Sequence, residues 1–204
     1  MSQANHRLNE FIRRIITRTR KHGLYLHPFF LTVEDIQPDA RPVIEINPAY
    51  TFRELNEDDL PLIHALRPDM DIERYGRFLR EGKRCFGLID KGHLIAKMWI
   101  DFDHLNTFLM DRPLNPDEAY LFDAFSNPDY RGQNLAPYLR LRCYDAARAE
   151  NCQKIYSVTD FINTAARGFK AKLGAKQEGL YLVWQLRRYG FNQKRIKLRS
   201  YAVK

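Results

Sequence analysis

An apolar run, Glu118–Ser126, leads into Asn127-Pro-Asp-Tyr-Arg-Gly-Gln-Asn-Leu-Ala136, and a long helix-like run, Leu135–Glu150, follows. A strand, a tight Arg/Gly/Asn loop and a helix in direct succession leave the chain few ways to fold there. The helix must start where the loop delivers it, with its first backbone N–H groups unpaired and the positive end of its dipole outward. Such a corner suits an anion, phosphate above all. Gly132 lets the backbone approach a ligand closely, and Asn134 is among the few non-glycine residues that tolerate a left-handed conformation. Arg131 adds a fixed positive charge beside them.

Downstream lie Asn163-Thr-Ala-Ala166 and Phe169-Lys-Ala-Lys-Leu-Gly-Ala175. With the loop, these segments resemble the GNAT N-acetyltransferase superfamily. Its loop reads Arg/Gln-x-x-Gly-x-Gly/Ala, against Arg131-Gly-Gln-Asn134-Leu-Ala136 here. Its later helix reads Asn-x-x-Ala and ends in Lys-Leu-Gly-Phe; Asn163-x-x-Ala166 and Lys172-Leu-Gly174-Ala175 stand in those places. The resemblance covers residues 52–187 and is topological in its first half. It implies a mixed α/β (α+β) fold, the acyl-CoA N-acyltransferase fold: a mixed, twisted sheet with helices on both faces.

The pattern along the chain agrees. Phe52–Leu55 reads as a strand, Asn56-Glu-Asp-Asp59 as a helix start, and Asp71–Arg80 as a second helix closed by Gly82. Arg84–Asp90 and His93–Asp101 flank Lys91-Gly92, a two-residue hairpin signal. Leu139, Cys143 and Ala147 make a buried stripe on the helix after the loop, Gln153–Thr159 is a strand, and Asn163–Leu173 a helix. Gln177–Arg187 closes the sheet.

Residues 1–50 read as an N-terminal extension, 51–187 as the acetyltransferase-like domain and 188–204 as a basic tail. In the extension Leu8, Phe11, Ile12, Ile15 and Ile16 recur at helical spacing among Arg7, Arg13, Arg14, Arg18 and Lys21. This basic amphipathic helix either docks its apolar stripe on the body or touches an anionic membrane surface weakly. Leu24–Val33 reads as a strand or hairpin arm broken at Pro28, and residues 35–50 as a linker. Net charge is +8, of which residues 1–23 hold +5 and 187–204 hold +7, so the remainder carries −4. The basic ends favour an anionic acceptor or surface.

Apolar residues at 45% exclude global disorder, and no apolar run approaches the roughly 20 residues that span a bilayer. Met1-Ser-Gln-Ala-Asn-His lacks a signal-peptide core, and Cys85, Cys143 and Cys152 form no CxxC pair. Free thiols in a reducing cytoplasm are expected. The six histidines show no metal spacing, and neither a nucleophile elbow nor a Gly-Lys-Ser/Thr phosphate loop occurs. No metal is expected.

The resemblance implies acetyl-CoA as cosubstrate. Its pyrophosphate would lie on the backbone N–H groups of Gly132, Gln133, Asn134, Leu135 and Ala136, beside Arg131. The strand Leu121–Ser126 would pair with the pantetheine arm, bringing Phe125 and Ser126 nearest the thioester. Asn163 would anchor the pantetheine; on its own it reads as an ordinary helix N-cap. Counting from Asn163, Lys170 stands where many members carry a tyrosine that protonates the leaving thiolate. It would act electrostatically, contact a cofactor phosphate, or be a solvated helix-surface lysine, which is the plainer reading.

A lysine-like acceptor of pKa ~10.4 must shed a proton roughly 3.4 units above neutrality, about 4–5 kcal/mol without help, so a general base is expected. Asp123 and Glu118 lie on the strand before the loop, and on an ideal strand they face opposite ways. Asp123 is preferred because it is nearer the thioester. The expected activity is transfer of an acetyl group to a primary amine in a ternary complex, the amine being an amino sugar or another small molecule. Residues 56–82 and 177–187 are expected to set its identity. The alternatives are a CoA-binding module of this fold without catalysis, and, less expected, nucleic-acid binding through the basic ends.

Overall fold

The computed structural model describes residues 3–36, 42–107, 110–186 and 192–200. In chain order the elements begin with α1 (Gln3–Lys21), β1 (Leu24–Asp35), β2 (Thr51–Leu55), α2 (Leu60–Leu66), α3 (Ile72–Arg80), β3 (Arg84–Asp90) and β4 (His93–Asp101). Then come β5 (His104–Asn106), β6 (Asp111–Pro113), β7 (Glu118–Ser126), α4 (Leu135–Ala149), β8 (Lys154–Asp160), α5 (Thr164–Lys172), β9 (Lys176–Leu186) and β10 (Asn192–Ser200). They divide into two compact units.

The unit made of Glu34–Leu105 and Arg112–Ser157 carries the phosphate-type loop. In it β2, β3, β4 and β7 pair antiparallel in succession, and β7 pairs parallel with β8. The turn between β3 and β4 has φ of 47° at Lys91 and 81° at Gly92, as a right-twisting two-residue hairpin requires. A capping box closes the start before α2, with Asn56 accepting from Asp58 N–H and the Asp59 carboxylate accepting from Asn56 N–H. Asp71 caps α3 through the N–H of Glu73.

Alternation along the strands splits the core of this unit between two faces. Phe86, Leu88, Met98, Ile100, Ala119 and Leu121 pack with Leu135, Leu139, Cys143 and Ala147 of α4. Cys85, Leu94 and Trp99 pack instead with Ile63 of α2 and Tyr75 of α3. The expected α4 stripe is buried, and helices cover both faces of this sheet.

An ion pair ties α4 down from behind. Arg140 donates from Nε to Glu34 Oε2 at 2.7 Å and from Nη2 to Ser157 Oγ at 2.8 Å; Glu34 is wholly buried and Arg140 2% exposed. Removing one partner of such a pair costs about 3–5 kcal/mol, because the other charge stays buried alone. Glu34 and the buried Ile36 flank the start of what reads in sequence as a linker. Ile36 N–H donates to Gln153 O at 3.1 Å, so the chain is still structural there. Residues 37–41 of that stretch lie outside the described residues.

The second unit draws its described residues from Met1–Val33, Asn106–Asp111 and Val158–Lys204. Its strands run β10-β9-β1, all antiparallel. Pro28 does not break β1; it sits opposite Leu182, and its carbonyl accepts from Phe161 N–H at 2.9 Å. A proline lacks only the donor, so a strand passes through it wherever that donor has no partner to meet. Within the expected basic tail, Asn192–Ser200 form β10, while 187–191 and 201–204 lie outside the described residues. On α1, Phe11 is 60% and Ile15 38% exposed, while Ile12 and Ile16 are half-buried. No helix among the described residues is long and apolar enough to cross a membrane.

Candidate active site

The corner after β7 is built from local backbone chemistry. Asn127 Oδ1 accepts from Asp129 N–H, opening a short 3-10 turn over Pro128–Tyr130. Gly132 then takes φ 82° and Asn134 φ 58°, both left-handed, and α4 begins at Leu135. Asn134 is the helix N-cap, yet its side chain makes no capping bond. The first intrahelical bond runs from Tyr138 N–H to Asn134 O. Among the described residues the N–H groups of Gly132, Gln133, Asn134, Leu135 and Ala136 therefore meet no protein acceptor. Arg131 is exposed beside them and pairs with no carboxylate among the described residues. Leu135 is 2% exposed, so its side chain roots the first turn in the core and offers a ligand only its backbone.

Two tyrosines that sequence reading passed over brace this corner. Tyr130 donates its hydroxyl to Asp90 Oδ2 at 2.9 Å, at the end of β3. Tyr50 packs edge-on against Tyr130, centroids 6.0 Å apart, and donates to Gln133 Oε1 at 2.5 Å. The side chain of Gln133 is thus engaged within the protein. The signal available in the sequence was only a pair of aromatics flanking polar loops, too common to single out.

The strand leading in is split. Its parallel ladder with β8 is registered from Glu118↔Lys154 to Leu121↔Ser157. Its antiparallel ladder with β4 slips between Lys97 and Trp99: Trp99 faces Phe122 but Lys97 faces Phe125. Asp123 and Ala124 therefore oppose Met98 alone, a β-bulge, and Asp123 takes φ 44°. Past the bulge, Asn127 N–H donates to Ile95 O at 2.8 Å, on the β4 side. Successive N–H groups of a strand alternate in direction, so the Ser126 N–H leaves from the opposite edge. Of Phe125 and Ser126, it is Ser126 whose amide is available there.

The two expected bases have different surroundings. Glu118 is 5% exposed and accepts from Arg112 Nη1 at 2.7 Å, Asn115 N–H at 3.1 Å and the Tyr156 hydroxyl at 3.2 Å. Burial opposes its charge, but these donors hold its pKa below the ordinary glutamate value. Asp123 accepts from Lys97 Nζ at 2.5 Å on Oδ2, while Oδ1 lies 4.0 Å from Arg67 Nη1. Its side chain is 20% exposed, whereas that of Lys97 is wholly buried. Burial pulls the Lys97 pKa down, against the opposing pull of Asp123. The Lys97 ammonium also lies 4.6 Å from the Tyr75 ring, and the Arg67 guanidinium sits 4.5 Å over Phe125. Sequence reading did not single out Lys97, Arg67 or Tyr75. A lone lysine inside the apolar run Leu94-Ile-Ala-Lys-Met-Trp-Ile100 was the one available signal.

Asn163 and Lys170 belong to the other unit. Asn163 Oδ1 accepts from Ala166 N–H at 3.0 Å, an N-cap of α5. Lys170 is not a solvated surface lysine. It is 6% exposed, and its ammonium donates to the Thr159 hydroxyl. The three cysteines are free and buried, and burial pushes the Cys143 thiol up to about 12, which leaves it unreactive.

A sequence model of the acetyltransferase (GNAT) family matches residues 49–175. No curated protein sequence matches the chain. Among solved structures, a Drosophila melanogaster protein aligns with TM-score 0.61 at 16% identity, over 87% of this chain and 57% of its own. A tandem GNAT protein from the clavulanic acid biosynthesis pathway gives 0.58 at 13%, over 87% and 55%. A GNAT-family acetyltransferase from Colwellia psychrerythraea gives 0.57 at 14%, over 74% and 53%. The chain thus spans a little over half the length of each of these structures, and the likeness is one of fold.

Proposed function

The chain belongs to the acetyltransferase (GNAT) family, and on that premise we propose that it transfers an acetyl group from acetyl-CoA to a primary amine in a ternary complex. One observation carries this reading: the consecutive amides of Gly132 to Ala136, which meet no acceptor among the described residues, at a corner braced by Tyr50 and Tyr130. They fit a diphosphate, since partial positive charge converges there without any side-chain cap to displace. Arg131 supplies a full charge beside them.

Bound acetyl-CoA would supply the activated acetyl group as a thioester, whose C–S bond would break as the C–N bond to the amine forms, CoA leaving as a thiolate that takes up the second nitrogen proton, directly or through water. The Ser126 N–H, on the edge of β7 away from β4, would hold the carbonyl oxygen as charge develops on it. Asp123 would take the ammonium proton of the acceptor, directly or through a water, on the oxygen that Lys97 does not hold. Glu118 suits that task poorly, because three donors already stabilise its charged form. Asn163 and Lys170 are held as a helix cap and by Thr159, and no step here requires them. The acceptor is proposed as a small-molecule amine.

Isothermal titration with acetyl-CoA and with CoA tests the cofactor reading: saturable heat is expected from both, and no heat from either removes it. Thiol release with a panel of amines tests the transfer. Binding of CoA without turnover on any amine would support instead a CoA-binding module, a second reading motivated by Lys170 standing in the place of the expected acid.

A further inference from the structure

Lys97 occupies the middle of β4, with β3 on one side and β7 on the other, and its side chain is wholly buried. A lysine there must satisfy its ammonium locally. Both of its acceptors belong to one residue: Asp123 Oδ2 at 2.5 Å and the Asp123 backbone carbonyl at 3.2 Å. Asp123 is the first of the two bulged residues and holds a left-handed φ of 44°, the place that glycine usually takes in a bulge of this hand. Lys97 thus sits opposite the register slip and bonds the peptide carbonyl at the bulge itself.

We propose that Lys97 is a positioning residue, a clamp that holds Asp123 in its left-handed conformation and thereby sets where the following backbone, Phe125 and Ser126, rejoins the ladder. The inference adds to the proposed function a residue that neither touches a ligand nor moves a proton. The ligand half of its test rests on that reading; the exchange half does not.

The test compares Lys97→Met, Asp123→Gly, the double variant and Asp123→Asn. Hydrogen exchange followed by mass spectrometry reads the amides of residues 122–126, with β2–β3 peptides as the internal reference. Lys97→Met should speed exchange in 122–126 by about tenfold or more and leave the reference unchanged. Glycine adopts the left-handed conformation unaided, and in the Asp123→Gly background Lys97 has lost its carboxylate, so there the same lysine substitution should no longer speed exchange in 122–126. Asparagine tolerates that conformation and keeps one side-chain oxygen beside the backbone carbonyl for Lys97, so Asp123→Asn should speed exchange in 122–126 less than Lys97→Met does.

Titration with acetyl-CoA and CoA adds a second readout. Lys97→Met should shift the ratio of their dissociation constants while CoA affinity itself holds, and the glycine background should abolish the shift. Absence of CoA binding to the native protein would sink the proposed function and leave the exchange result standing. Unchanged exchange in Lys97→Met, or an equal effect with and without the glycine, overturns the clamp. Should Lys97→Met fail to fold, folding of the double variant supports the clamp, and failure of both overturns it by making Lys97 a packing residue.

Discussion

Glu118 and Asp123 stand on the same strand, five positions apart, and each meets a cation, yet the fold uses them differently. Glu118 lies in regular ladder and is enclosed by Arg112, the Asn115 N–H and the Tyr156 hydroxyl. Its charge is the fixed point around which β6, β7 and β8 meet. Asp123 lies where the ladder is interrupted, with one oxygen held by Lys97 and the other facing Arg67 across 4.0 Å. The fully enclosed carboxylate is the one read as structural, and the one with an oxygen at longer range on a displaced backbone is the proposed base. The difference between the two sites is one of hydrogen-bond supply, not residue type.

The widest separation should come from removing each charge at constant shape. Asp123→Asn should lower kcat by about 10²–10⁴-fold, as expected for loss of a general base, and should also cost up to about 3–5 kcal/mol of stability, because Lys97 stays buried without its counter-charge. Steady-state thiol release and a thermal melt of the same sample check it; near-native turnover would return Asp123 to a structural role.

Glu118→Gln should cost stability alone. It leaves buried donors without their charged acceptor, costing about 1–3 kcal/mol of stability by denaturant titration, with turnover of the folded enzyme close to native.

A pH series sharpens the contrast. The folded-state pKa of Glu118 is depressed, so its contribution is present above the unfolded carboxyl value of roughly 4.3 and is lost as pH falls through the lower folded value. The melting-temperature gap between native protein and Glu118→Gln should be full near neutrality and close as pH drops below about 4. A gap independent of pH would mean that packing, not charge, is what Glu118 contributes.

The smallest effect is expected at the loop. Tyr50→Phe removes one neutral hydrogen bond to Gln133, worth about 0.5–1.5 kcal/mol, so CoA affinity should fall by no more than about tenfold. An unchanged affinity by calorimetry would show that the backbone holds the cradle without this brace.

Much of the scaffold was legible because it is written in short-range chemistry. The Lys91-Gly92 hairpin, the Asn56 and Asp71 caps and the α4 stripe each depend on a few neighbouring residues, and each formed where the pattern placed it. Pro28 misled because proline forbids a donor, and whether a donor was needed depends on the partner strand. Lys170 misled because a helix pattern does not reveal which of its faces is covered; this lysine is buried against Thr159.

By itself, then, the sequence determined the family, the order of the larger strands and helices between residues 51 and 186 (though not β5, β6 or β10) and the loop-to-helix corner from Gly132 to Ala136, since helix ends and left-handed residues are properties of a dozen consecutive positions. The tertiary structure alone decided what becomes of each polar side chain. Lys97 reaches Asp123 across 26 residues, Tyr50 reaches Gln133 across 83, and Arg140 reaches Glu34 across 106. Which partner arrives is fixed by sheet register and helix packing, and it is the partners that enclose Glu118 among three donors and leave Asp123 with one oxygen bonded and the other 4.0 Å from Arg67.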